Sequence, residues 1–270
     1  NFTHSDNFTH SDNFTHSDND DEEETIHKPT TINDNSEAGP GPSTKMYDLV
    51  LDALAMHNHH ISNTNAISNP HKIALQNITQ SKQILSRVIS RHNSDGGPSN
   101  INSHSIPTAM SFNASIRCAA NTNLNLSTST DDALMLRDAA IDIAFGTYDK
   151  MLRCDTVDRN SATYANMLSV VRFFIPDSRS KGNIVHGLFN KAMDEAVVDD
   201  AVVNVVLLMA EDIASKTVDG VGAYGPDFHR WVEDELKLIE TQDDTGLLVL
   251  PARWNKNSDR RKFANAASLY

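Results

Sequence analysis

The feature that most constrains this chain is a start that recurs ahead of its helical segments. MYDLVL (46–51), SFNASI (111–116), TYANML (163–168) and AVVNVV (201–206) each set an aromatic or β-branched residue before Asp, Asn or Ala, and then apolar positions. Aligned on Tyr47, Phe112, Tyr164 and Val203, the starts are 65, 52 and 39 residues apart. Each opens a short helix, and a turn and a longer amphipathic helix follow. Such a unit cannot cover its own apolar face, so neighbouring units must stack. The reading is an all-α fold, an α-solenoid of about four helix-turn-helix repeats. The separations exceed a hairpin repeat of roughly 34 residues, and the excess falls in two polar stretches, 57–70 and 121–132.

Periodicity supplies the individual helices. KMYDLVLDALAMH (45–57) carries Met46, Leu49, Val50, Ala53 and Leu54 on one stripe, and 71–91 carries Ile78, Leu85, Val88 and Ile89. The breaker-rich stretch 92–105 ends this pair. The second pair is 108–120 and 133–154. Its long helix has an apolar face of Leu136, Ala140, Ile143, Ala144, Tyr148, Met151 and Leu152, with Asp131 or Asp132 as N-cap. The third pair is 163–174, stopped by Pro176, and 181–198. The second of these has apolar couples every four residues: Ile184/Val185, Leu188/Phe189, Ala192/Met193 and Ala196/Val197. The fourth pair is 199–216 and 227–240, joined across DGVGAYGP. VVNVV and GLLVL would pass as strands alone, but the helical period around them argues against it.

Three further readings set the boundaries. Residues 1–43 begin with three identical copies of NFTHSD, continue through the acidic run DNDDEEE, and lack the apolar residues needed to offset ordering entropy; they are expected to be disordered. The repeat domain is then 44–240, and 241–270 is a C-terminal extension. The chain starts on Asn rather than Met and is expected to be a fragment or processed product.

The net charge of −13 excludes general attraction to phosphate, so a nucleic-acid partner would have to meet a local patch. Cys118 and Cys154 form no CxxC or Cys/His cluster, so neither a metal nor another cofactor is expected. No apolar run reaches 18 residues.

The start motif, the passage FGTYDKMLRCDTVDRNSATYANML (145–168), its echo LFNKAMDEAVVDDAVVNVV (188–206), and Pro107 before Thr108 together resemble the pentatricopeptide repeat family. LPARWNKN (250–257) is similar to the tails of divergent algal members. The resemblance covers about 44–240. It implies binding of single-stranded RNA, one base per repeat, in organellar RNA processing or expression, in a mitochondrion or plastid. It also implies base-reading pairs: one residue after the aromatic, and one at the end of the preceding linker. Here these are Asn113 with Thr108, Ala165 with Asn160, Asn204 with Asp199, and in the first unit Asp48 with Ser43. Asn can both donate to and accept from a base edge, whereas Ala165 can tolerate a base but not choose one. Cations available to phosphate are Arg117, Arg153, Arg159, Arg172, Arg179, Lys181 and the run 260–262.

The alternative is a tetratricopeptide-like helical scaffold for a protein or peptide partner, without RNA. The first-helix surface discriminates. Basic and asparagine-lined, it favours RNA; acidic or apolar, it favours a peptide. No catalytic role is expected. The acidic pairs Asp131/Asp132 and Asp199/Asp200 are adjacent in sequence and diverge on a helix, His186 and His229 lack a sequence partner, and GVGAYG follows no strand.

Overall fold

In a computed structural model, residues 42–64, 69–94, 106–122, 131–216, 224, 226–236, 239 and 248–258 are described. The tail read as disordered lies almost wholly outside them. The described residues form an all-α fold of nine helices: α1 (Thr44–Asn63), α2 (Pro70–Ser94), α3 (Ala109–Ala120), α4 (Asp131–Leu152), α5 (Ser161–Phe174), α6 (Arg179–Asp194), α7 (Asp200–Lys216), α8 (Pro226–Leu236) and α9 (Ala252–Asn255).

The packing is repeat-like. Each of α1, α3 and α5 packs on its own second helix (α2, α4 and α6). The first helices also pack on one another in series, α1 on α3, α3 on α5 and α5 on α7, while α2 packs on α4 behind them. The residues at the aligned aromatic position drive this arrangement. Phe112, Tyr164 and Val203 are fully buried. Phe112 meets Leu85, Met151 and Val157 from both flanking second helices and the following linker. Tyr47 is half-buried, with the Arg91 guanidinium over its ring.

Local chemistry sets the helix starts. Thr108 and Asn160 are N-caps closed by reciprocal bonds with Ser111 and Thr163, and Ser178 caps α6 through the Lys181 amide. Asp199 caps α7, accepting from the Val202 amide at 3.1 Å.

Three expectations need correction. Helix α1 does not stop at His57 but runs to Asn63, because its polar residues find partners. Buried Asn58 donates to the Cys118 carbonyl (2.9 Å) and accepts from Asn77 (2.7 Å). Most of the stripe assigned to the core of α1 faces outward: Met46 is 57 %, Leu49 64 % and Val50 48 % exposed, and of its members Leu54 packs against the core. The face packed on α3 instead includes Asp48, Leu51, Ala55 and Asn58. Helix α6 ends at Asp194 rather than 198, since Ala196 takes a left-handed conformation (φ 55°) that turns the chain toward α7. Elsewhere most of each stripe is buried: on α4 Leu136, Ala140, Ile143, Ala144, Tyr148 and Met151 are buried and Leu152 is half-buried, as are Ile89 on α2 and Ile184 and Met193 on α6.

Residues 248–258 pack onto the third hairpin. The Trp254 ring meets Phe189 edge-on, and Val198 donates to the Trp254 carbonyl at 2.8 Å. None of the described helices is long and apolar enough to cross a membrane.

Candidate binding surface of the first helices

The expected base-reading residues sit where successive first helices meet at their N-termini. The structure joins them in a different register from the one read off the sequence. Asn113, on the first turn of α3, does not bond Thr108. Its amide nitrogen donates to Oδ1 of Asn160, the cap of the next first helix, at 2.9 Å, and its own Oδ1 accepts from the Thr163 hydroxyl at 2.8 Å. Thr108 instead donates to Asp48 on the preceding first helix at 3.2 Å, and Ser111 donates to the same carboxylate. The residue after the aromatic therefore meets the cap of the following helix. This junction occurs between α1 and α3 and again between α3 and α5.

At the third junction Ala165 stands after the aromatic and contributes no polar group. The cap Asp199 is buried, and burial pushes its carboxyl above the ordinary carboxylate range against the pull of the Ser161 hydroxyl and the Val202 amide. Asn204 occupies the post-aromatic position of α7 and is exposed; it does not approach Asp199 through any hydrogen bond among the described residues.

Between α3 and α5 these residues border an open groove of about 290 Å³, lined by Asp52, Met110, Asn113, Ala114, Arg117, Asn160, Ala162 and Asn166. Asn166 was not singled out from the sequence. It lies in the second turn of α5 and donates weakly to the Asn113 backbone carbonyl at 3.4 Å. The signal for it was present in TYANML, where Asn follows Ala165. The Asn160 amide nitrogen makes no hydrogen bond among the described residues, and Asn160 also borders a second, larger groove of about 580 Å³ beside Arg159, Glu195 and Asn257.

The cations expected to serve phosphate are engaged. Arg117 pairs with Asp52, Arg153 with Asp149 (2.7 Å), Arg159 with Glu195 (2.5 Å), Arg172 with Asp212 (2.8 Å), Arg179 with Asp227 (3.3 Å) and Lys181 with Asp177 (3.0 Å). Residues 260–262 lie outside the described residues. Among the cations that sequence reasoning passed over are Lys72, Lys82, Arg87 and Arg91. They are exposed on α2, a helix with no Asp or Glu, and make no ion pair among the described residues. Their signal was the local charge of residues 70–94, which the chain-wide balance hides.

The His186 ring packs on Trp231 at 4.9 Å, and His229 meets the Phe228 ring edge-on at 6.3 Å. Among the described residues no three His, Cys, Asp or Glu side chains gather in a metal-binding group. Cys118 is buried, and burial pushes its thiol up to about 12.

No protein-family model, curated protein or solved structure matches this chain.

Proposed function

We propose that this chain binds single-stranded RNA along the surface of its first helices, as the pentatricopeptide resemblance implies, in organellar RNA processing or expression. The observation that carries the reading is the α3–α5 groove. Three asparagine side chains from two successive first helices and their caps border one space, which the paired Arg117 and Asp52 also line. An amide offers a donor and an acceptor together, which is what reading the edge of an unpaired base requires. The free Asn160 amide nitrogen and Asn166 are the groups available to a base, while Asn113 holds them in register.

The test is fluorescence anisotropy of the full chain with a pool of labelled single-stranded RNAs at two salt concentrations. Salt-sensitive binding that Asn166→Ala and Asn160→Ser weaken supports the reading; Ser keeps the helix cap but removes the amide. Absence of binding at low salt rejects it.

A second reading, a scaffold for a peptide partner, is favoured by a specific observation. Arg117 and Arg172 on the first-helix face are each neutralised by a carboxylate from a neighbouring first helix. A peptide partner would be recovered by pull-down with RNase-treated lysate and lost with the Asn166→Ala surface.

A further inference from the structure

The packing of the first helices follows one pattern at its first two junctions, and the series leaves an open half-junction at each end. Between α1 and α3, and between α3 and α5, the post-aromatic side chain of one helix meets the capping residue of the next. At the far end, α7 presents its post-aromatic residue Asn204 exposed, beside exposed Ala201, Leu208 and Glu211 on the same face. At the near end, the capping residue of α1 is Ser43, whose side chain makes no cap hydrogen bond, and Met46, Leu49, Val50 and Ala53 form an exposed apolar stripe opposite the face packed on α3. By contrast, α3 has a first helix on both sides and is almost entirely buried.

Charge distinguishes the two ends as well. Residues 44–94 carry five basic side chains against Asp48 and Asp52, and both of those carboxylates are already engaged, with Thr108 and Ser111 and with Arg117. The first hairpin therefore displays Lys72, Lys82 and Arg87 with nothing to oppose them among the described residues. Residues 200–236 carry eight acidic side chains against two basic ones, and Glu211, Glu233 and Asp234 are exposed. The near end is cationic and apolar; the far end is anionic with an exposed leucine.

We propose that α1 of one copy docks on the outer face of α7 of a second copy, continuing the first-helix series head to tail. In that arrangement Asn204 of the second copy stands where Asn113 stands, and Ser43 of the first copy stands where Asn160 stands. The apolar stripe of α1 meets Leu208, and the cationic α2 approaches the acidic fourth hairpin. A head-to-tail contact uses two different surfaces and does not close on itself, so the assembly grows with concentration rather than stopping at a dimer. The opposed charges steer the approach and make it sensitive to salt. This inference stands apart from the RNA reading, and its test contains no RNA.

The experiment is sedimentation velocity on the nuclease-treated full chain from about 1 to 200 μM, the range of a small, weak interface. The expected result is an average mass that rises past twice that of the monomer. It should fall several-fold toward the monomer when ionic strength goes from about 0.15 to 1 M, where the screening length shortens from about 8 to 3 Å. Leu49→Glu on α1 and Leu208→Glu on α7 should each be folded by circular dichroism, since both side chains are exposed, and each monomeric alone. Mixed, they should give a one-to-one dimer, because each retains the surface the other lacks. A chain that stays monomeric at every concentration overturns the proposal. So does a mass that plateaus at a dimer in the unmodified chain, or a mixture of the two variants that remains monomeric.

Discussion

Asn113 and Asn204 hold the same position in the same repeated motif, and the fold treats them in opposite ways. Asn113 is buried between two first helices with both ends of its amide bonded. Asn204 lies exposed on the last helix of the series. The apolar residues of an inner and an end helix diverge likewise. Ala114 and Ile116 on α3 are buried, while Met46, Leu49 and Val50 on α1 stand in solvent. The comparison teaches that the motif specifies one half of a junction. Whether a side chain becomes structural or stays available depends on whether a neighbouring helix supplies the other half.

The largest expected effect breaks the comparison at its aromatic. Phe112→Ala, at a fully buried position, should cost about 3–5 kcal/mol in urea unfolding, whereas Leu49→Ala on the exposed stripe should stay within about 0.5 kcal/mol. The asparagines come next. Asn113→Ala leaves the Thr163 hydroxyl only its longer bond to Asn160 Oδ1 (3.2 Å) and takes one donor from that same oxygen, at a cost of about 1–3 kcal/mol. Asn204→Ala should be near neutral in the monomer, within about 0.5 kcal/mol. Equal costs for the two would show that Asn113 is not the structural member.

A smaller effect concerns Asp199, the buried cap of the third junction. Its folded-state pKa is raised above the unfolded value, so the folded chain holds more protons than the unfolded chain between those two values. Stability contributed by this group therefore rises as pH falls through that window, and its burial opposes folding at neutral pH. Asp199→Asn keeps an oxygen to accept from Val202 and removes the charge. Thermal melts should show it at least as stable as the parent at pH 7, by roughly 2 °C, with the advantage shrinking as pH drops toward the unfolded value. A variant that loses stability at pH 7 would mean that the carboxylate charge itself supports the α7 terminus.

The smallest effect is chemical rather than energetic. In the native chain a thiol-alkylating reagent should modify the half-exposed Cys154 and spare Cys118, whose buried thiol is pushed up to about 12; peptide mass analysis reads the two sites separately.

Much of the fold was legible because helical period and capping chemistry are local. The helix starts read from periodicity fall within two residues of those observed, and most of the stripe on α4 is buried as its spacing implies. But Asp131 and Asp132, read as the cap of α4, stand in its first turn, and Thr108, Asn160 and Asp199 enter the sequence reading as base-reading residues, not as caps. Helix α1 was misread for a reason that periodicity cannot reach. It is apolar on the face that looks to solvent, and it buries Asp48 and Asn58 on the other. Polar residues take the inner face when partners sixty residues away satisfy them, as Cys118 does for Asn58 and Thr108 for Asp48. The candidate site was legible in composition but not in pairing. Asn113 and Asn160 were both singled out, yet each was assigned to a different partner, because the contact that joins them spans 47 residues.

The sequence by itself determined that this chain is built of helices in pairs and roughly where each one starts, since both follow from spacing within a few residues. Only the tertiary structure decided which asparagines are consumed and which cations are neutralised. It also decided which apolar stripe faces water. Each of these depends on whether a helix distant in the chain is there to complete the contact.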